Sequence, residues 1–150
     1  MKNLFFILTL ILFYTACNNK TDQPAPSEKP VGTTSQVYWE ITDTGRLSMM
    51  RFIGGGPDTL SAESIVAFIN TRYPRVQLSF VKMSHDTVFL KIPEPTYLTQ
   101  QMGSSGPVTF FAEVVYDLTE IPHIVYVDFD FEEGDHAQPG TLYRGSFKDQ

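Results

Sequence analysis

The stretch Pro107-Val-Thr-Phe-Phe-Ala-Glu-Val-Val-Tyr-Asp-Leu-Thr-Glu-Ile121 decides the fold, because it combines a helical pattern with clear start and stop signals. Its apolar residues recur at helical spacing, as Val108, Phe111, Ala112, Val115 and Leu118. The pattern assigns the opposite stripe to water: Thr109, Glu113, Asp117 and Glu120. Pro107 suits a first helical turn and Pro122 ends the run, so we expect an amphipathic helix of about 22 Å.

The helix runs directly into a strand, His123-Ile-Val-Tyr-Val-Asp-Phe-Asp-Phe131. Here Val125, Val127, Phe129 and Phe131 alternate with Tyr126, Asp128 and Asp130, which is the period of a half-buried strand. The pair of elements predicts a sheet with one face covered by a helix.

The segments before this helix alternate in the same way. Residues 37–42 and 46–53 flank the turn Asp43-Thr-Gly45, and residues 76–81 and 87–92 flank Ser84-His-Asp86, so we predict two hairpins. Between them Ser61 can cap a helix over residues 62–73, which Pro74 ends. The order β-β-α-β-β-α-β predicts an α+β fold with two layers, two helices packed on one face of a five-stranded, mainly antiparallel sheet.

The first residues have the layout of an export signal. Lys2, an apolar run and Ala16 predict a signal peptide over residues 1–16. Cys17 is the only cysteine, and Tyr14-Thr-Ala-Cys17 resembles the lipobox of bacterial lipoproteins, which implies a lipidated Cys17 anchored in the cell membrane or outer membrane. The alternative is a lone cysteine inside an ordinary secretory signal. Residues 17–36 are polar and rich in proline, which predicts a flexible linker before a domain at 37–135 and a polar tail at 136–150.

Composition excludes some classes of partner. The 150 residues include 42% hydrophobic and 13% aromatic residues, enough for one core, and carry a net charge of −6. A nucleic-acid-binding surface needs clustered basic residues, and the sequence has no such run. Gly54-Gly-Gly-Pro57 lacks the lysine of a phosphate-binding loop, so nucleotide binding is not supported, and no cofactor is expected.

Three segments resemble the GerMN domain, a module named from bacterial sporulation and germination proteins and found in many envelope lipoproteins. They are Val37-Tyr-Trp39 with Asp43-Thr-Gly-Arg-Leu47, then Val114-Val-Tyr-Asp-Leu-Thr-Glu-Ile121, and finally Ile124-Val-Tyr-Val-Asp128 with Glu133-Gly-Asp135. The family is regarded as a non-catalytic envelope module. The resemblance therefore implies a binding or assembly role rather than an enzyme.

An acidic run follows the last predicted strand, formed by Asp128, Asp130, Glu132, Glu133 and Asp135. Calcium prefers such oxygen ligands, but Gly134 comes one residue too late for an EF-hand loop. Solvated carboxylates on a strand and turn explain the run more simply. A second alternative is an envelope hydrolase that uses Asp128 or Glu133 as acid or base.

A surface on the sheet is the remaining candidate. If Trp39 and Val127 point towards the helices, then Tyr38, Phe89 and Tyr126 emerge on the opposite face. Ordinary cross-strand pairing is the simpler explanation of these aromatics. Otherwise they form the contact with an envelope protein or with peptidoglycan. The sequence thus favours a membrane-tethered, non-catalytic binding module of the bacterial envelope.

Overall fold

The computed structural model describes residues 36–43 and 47–148. The predicted signal peptide, Cys17 and the linker up to residue 35 lie outside these residues. The strands are β1 (Val37–Asp43), β2 (Ser48–Ile53), β3 (Ser79–Ser84), β4 (Thr87–Lys91), β5 (Tyr126–Asp130) and β6 (Gly140–Leu142). The α-helices are α1 (Ala62–Arg72) and α2 (Gly106–Leu118), with a π-helical turn at Tyr97–Gln101 and a 3-10 turn at Arg144–Phe147.

The α+β class is confirmed, but the single five-stranded sheet is wrong. The strands form two sheets, a two-stranded one of β1 and β2 and a four-stranded one in the order β3-β4-β5-β6. Both predicted hairpins exist as antiparallel pairs. In contrast, β4 and β5 are parallel, because the chain crosses over through α2 between them.

Helix α2 covers one face of the four-stranded sheet and contributes six buried apolar residues to the core: Phe110, Phe111, Ala112, Val114, Val115 and Leu118. The Phe111 ring lies 4.7 Å from that of Phe129 and 5.9 Å from that of Phe131. Val88, Leu90 and Val127 point to the same side and are fully buried. The predicted apolar stripe therefore packs as expected, and each large aromatic here stabilises the fold by several kcal/mol, on the order of the 3–5 measured for Phe→Ala in cores.

The β1–β2 hairpin docks against the helices by one edge. Gln36 O accepts from Gly54 N at 2.8 Å, so the alternate residues Val37, Trp39 and Ile41 direct their N–H and C=O groups away from β2. On this edge, the N–H groups of Trp39 and Ile41 donate to Asp117 and Glu113 of α2. Residues 37–41 are accordingly all half-buried, so the predicted alternation of buried and exposed side chains is not realised in β1.

Residues 140–147 belong to the folded domain. We expected a polar tail over residues 136–150, but β6 pairs antiparallel with β5 and Phe147 is buried. β6 has only three residues, so its alternation is too short to identify a strand without the turn that precedes it.

Candidate functional site

The outer face of the four-stranded sheet, opposite α2, is the main candidate surface. The register places Ser84, Thr87 and Tyr126 side by side in one row across β3, β4 and β5. The next row runs through Lys82, Phe89, Asp128 and Thr141. Because directly opposed residues point the same way, these rows lie on one face.

At the end of this face Tyr126 and Tyr143 are exposed, and Val125, which directly precedes β5, is also exposed; we call these three residues the tyrosine patch. Tyr126 is 38% exposed and Tyr143 is 48% exposed, with their ring centroids 5.9 Å apart. A cavity of about 280 Å³ adjoins it, lined by Ile124, Val125, Tyr143, Thr119 and Arg144. Tyrosine contributes apolar area and a hydrogen-bonding hydroxyl together, which suits a contact surface.

The middle of the outer face is more polar and internally paired. Lys82 Nζ lies 4.8 Å from the centre of the half-buried Phe89 ring. Asp128 Oδ2 accepts from Thr141 Oγ1 at 2.5 Å. Lys91 and Asp130 form an exposed pair at 3.8 Å, which is of the kind that contributes at most about 1 kcal/mol.

Two of the three predicted contact residues share this face and one does not. Phe89 and Tyr126 lie on the outer face, whereas Tyr38 belongs to the separate hairpin. Tyr38 is half-buried, stacks on Phe52 at 5.2 Å and contacts Phe68 at 5.5 Å, with the Arg72 guanidinium 5.2 Å from its ring centre. The expectation of one common face is therefore wrong for Tyr38.

Sequence reasoning missed Tyr143, because it lay in the supposed polar tail. The register opposes Val127 to Leu142, which puts Tyr143 next to Tyr126. The available signal was Gly140-Thr-Leu-Tyr143 directly after Pro139, a turn followed by alternating residues.

The acidic run is dispersed. Asp128 is half-buried and bonded to Thr141, Asp130 pairs with Lys91, and Glu132, Glu133 and Asp135 are exposed. Over residues 36–43 and 47–148, no three acidic, histidine or cysteine side chains are grouped so that they could hold a metal ion.

Ser84-His85-Asp86 forms the tight turn between β3 and β4, with His85 at a φ of 55°. Ser84 Oγ lies 3.1 Å from His85 Nδ1, but Asp86 Oδ1 accepts from Thr87 Oγ1 instead. The carboxylate therefore does not orient the imidazole as a catalytic triad requires.

The acidic stripe of α2 does not face water, contrary to the sequence pattern. Glu113 and Asp117 are only 3% and 2% exposed. Asp117 Oδ1 accepts from Trp39 N at 2.6 Å, and Glu113 Oε1 accepts from Ile41 N at 3.2 Å. Residues four apart on a helix share a face, so the two carboxyl groups match the alternate N–H groups of Trp39 and Ile41 on the outer edge of β1.

Basic and phenolic groups complete this buried contact. Arg72 NH2 lies 3.2 Å from Glu113 and 3.2 Å from Glu40, and its NH1 donates to Trp39 O at 3.3 Å. Tyr73 donates its hydroxyl proton to Glu113 at 2.6 Å, and both burial and this hydrogen bond raise the pKa of the Tyr73 phenol. The helices thus supply partners for the N–H and C=O of Trp39 and for the N–H of Ile41.

The pKa values of two neighbouring carboxyl groups, Asp117 and Glu120, are shifted in opposite directions. Burial raises the pKa of the Asp117 carboxyl from 3.8 to about 8, although Trp39 N–H and Arg72 favour its charged form. Asp117 Oδ2 is buried with no hydrogen-bond partner among the described residues. Burial also disfavours the charged form of Glu120, but hydrogen bonds from Arg51, Trp39 and Arg144 outweigh it and lower the Glu120 pKa to about 2.

Comparison with protein families, with curated proteins and with solved structures gives no match to this chain. Within residues 36–43 and 47–148, no helix has the length and apolar character needed to cross a membrane.

Proposed function

We propose that this chain is a membrane-tethered, non-catalytic binding module of the bacterial cell envelope, which contacts a protein or cell-wall partner through the outer face of its four-stranded sheet. The tyrosine patch is the observation that carries this proposal. Val125, Tyr126 and Tyr143 are all exposed large side chains. Val125 and Tyr143 line a cavity, and the strand register places Tyr126 and Tyr143 on the face opposite the core.

The composition of the patch favours a protein partner over a polymer of sugars. Buried anchors at protein interfaces are enriched in tyrosine, and energetically important ones insert beside pockets. The polar groups in the middle of the face are already paired, as Asp128 with Thr141 and Lys91 with Asp130. They supply a polar rim rather than a set of free donors and acceptors for a glycan.

The membrane tether in this proposal rests on the lipobox-like Tyr14-Thr-Ala-Cys17 and the GerMN-like segments. Two or more acyl chains would hold the protein durably on a bilayer, whereas one would not. Cys17→Ser should therefore move the protein from the membrane fraction to the soluble fraction. Continued membrane retention of this variant would contradict a lipid anchor on Cys17.

Site-specific photo-crosslinking in native membranes tests the binding surface. A photoreactive phenylalanine at position 126 or 143 should give a crosslinked product. In a pull-down without crosslinking, the double variant Tyr126→Ser with Tyr143→Ser should lose the partner while its circular dichroism stays unchanged. Ile53 is the matched control, since it is 81% exposed but lies on the hairpin. Equal crosslinking from position 53 would contradict the assignment to the outer face. Co-sedimentation with purified cell-wall sacculi, lost in the same double variant, would instead identify the polymer as the partner.

A further inference from the structure

A second concave site lies between the end of α1 and the π-helical turn, and it shares no residue with the tyrosine patch. It is a cavity of about 230 Å³ whose walls include Tyr73, Val76, Tyr97 and Met102, with two arginines, Arg72 and Arg75. Pockets for drug-sized ligands measure roughly 300–1,000 Å³. This cavity therefore suits a small molecule or one side group of a larger one.

The two arginines differ in their partners. Arg72 is engaged by Glu40, by Glu113 and by the carbonyl of Trp39. Arg75 has no carboxylate within ion-pair distance among the residues that the structure describes, whereas Arg51 and Arg144 both pair with Glu120. In a chain with a net charge of −6, Arg75 is thus an uncompensated cation at the edge of an apolar cavity.

The Arg75 guanidinium is held in place by the π-helical turn. Its central carbon lies 3.6 Å from the centre of the Tyr97 ring, and NH2 donates to Gln101 Oε1 at 2.9 Å. The turn is anchored from below, because Leu98 and Thr99 are buried and Thr99 O accepts from His136 N at 2.9 Å. Short π-helical turns occur frequently at functional sites.

We propose that this cavity binds a small organic carboxylate, with the carboxylate on Arg75 and an apolar body against Val76 and Met102. Stacked guanidinium groups are weakly hydrated and offer a planar pair of donors that matches a carboxylate. Only one N–H of Arg75 is used by Gln101, so donors remain for the ligand. Because stacking already fixes the guanidinium, little side-chain entropy is lost on binding.

Titration of the full chain with sodium hexanoate, followed by the backbone amide signals in NMR spectra, tests this proposal. Hexanoate should shift the signals of Val76 and Met102 saturably at millimolar concentration. Hexanamide has the same carbon body without the charge and should bind at least fivefold more weakly. Equal affinity for the two probes would overturn the role of Arg75.

Two variants distinguish an effect of the Arg75 charge on binding from an effect of the net charge of the chain. Arg75→Met should weaken hexanoate binding about tenfold and leave hexanamide binding unchanged, while Lys82→Met, which removes one positive charge on the outer face, should change neither. Unaltered hexanoate affinity in Arg75→Met would overturn the proposal. Hexyl phosphate is the third probe and carries a double charge. If it binds more tightly than hexanoate, the assignment of the ligand as a carboxylate is overturned.

Discussion

The backbone N–H of Trp39 donates a 2.6 Å hydrogen bond to Oδ1 of Asp117, a residue 78 positions later in the chain. One turn earlier on α2, Glu113 accepts from Ile41 N in the same way. An unpaired strand edge is a site of aggregation unless it is covered or paired. Here carboxyl groups of a helix accept the hydrogen bonds that a neighbouring strand would otherwise accept.

Asp117 should make the stability of the domain depend on pH. Its pKa is about 8 in the folded protein against 3.8 ordinarily, so the folded state holds a proton that the unfolded state loses. The contribution of this group to the free energy of unfolding is fully present below about pH 4 and is lost as the pH rises through about 8. The total loss is on the order of a few kcal/mol. Three charged groups face Asp117: Arg72 lowers its pKa, whereas Glu113 and Glu120 raise it.

Asp117→Asn tests whether Asp117 causes this pH dependence, since asparagine keeps an acceptor for Trp39 N but does not titrate. We expect urea denaturation to show a smaller change in the free energy of unfolding between pH 5 and pH 8 in the variant. The variant should also equal or exceed the native protein in stability at pH 8. An unchanged pH profile would show that Asp117 is not the group responsible.

Among the carboxyl groups that face the hairpin, removal of Glu113 should lower the free energy of unfolding the most. Glu113→Ala deletes the partner of Ile41 N, of the Tyr73 hydroxyl and of Arg72. Breaking a buried charge pair typically costs about 3–5 kcal/mol, so we expect a loss near the lower end of that range. Glu40→Ala is the control, because this glutamate contacts the same Arg72 but is only half-buried, and its loss should cost less than about 1 kcal/mol. Equal losses in the two variants would contradict the account.

Gly134 should be intolerant of a side chain because of its packing against the π-helical turn. A Cβ at this position would lie 2.6 Å from Cβ and 2.8 Å from Oγ1 of the buried Thr99. We expect Gly134→Ala to lower the free energy of unfolding by about 1–3 kcal/mol, the usual range for overpacking. It should also shift the NMR signals of Tyr97 and Gln101. If the variant is as stable as the native protein, the Thr99 side chain shifts readily to accommodate the added Cβ.

Much of the local structure was predictable from the sequence. The spacing of Val108, Phe111 and Val115, the Ser61 cap and the bounding prolines identified both α-helices, since these signals arise within one element. Ser61 Oγ does accept from Ser64 N at 3.2 Å, as a capping residue should. The alternation of residues 87–92 likewise identified β4.

The arrangement of the elements was not predictable in the same way. Hydrophobic periodicity cannot distinguish a carboxylate that faces water from one that faces backbone N–H groups, so Glu113 and Asp117 were assigned to solvent. Nor does any local pattern show that β1 pairs only with β2, or that Tyr143 reaches Tyr126. The Arg75 cavity depends on Tyr97, which lies 22 positions later in the sequence, so no local motif marks it.

Hydrogen exchange at the Trp39 and Ile41 amides tests most directly whether α2 completes the edge of β1. In the native protein both amides should be protected as strongly as Tyr38 and Glu40, whose pairs with Phe52 and Met50 lie within the hairpin. Glu113→Ala should raise the exchange rate of the Ile41 amide more than that of the Tyr38 amide. Exchange of the Trp39 and Ile41 amides at the rate of an exposed strand edge, in the native protein near neutral pH, would contradict the account.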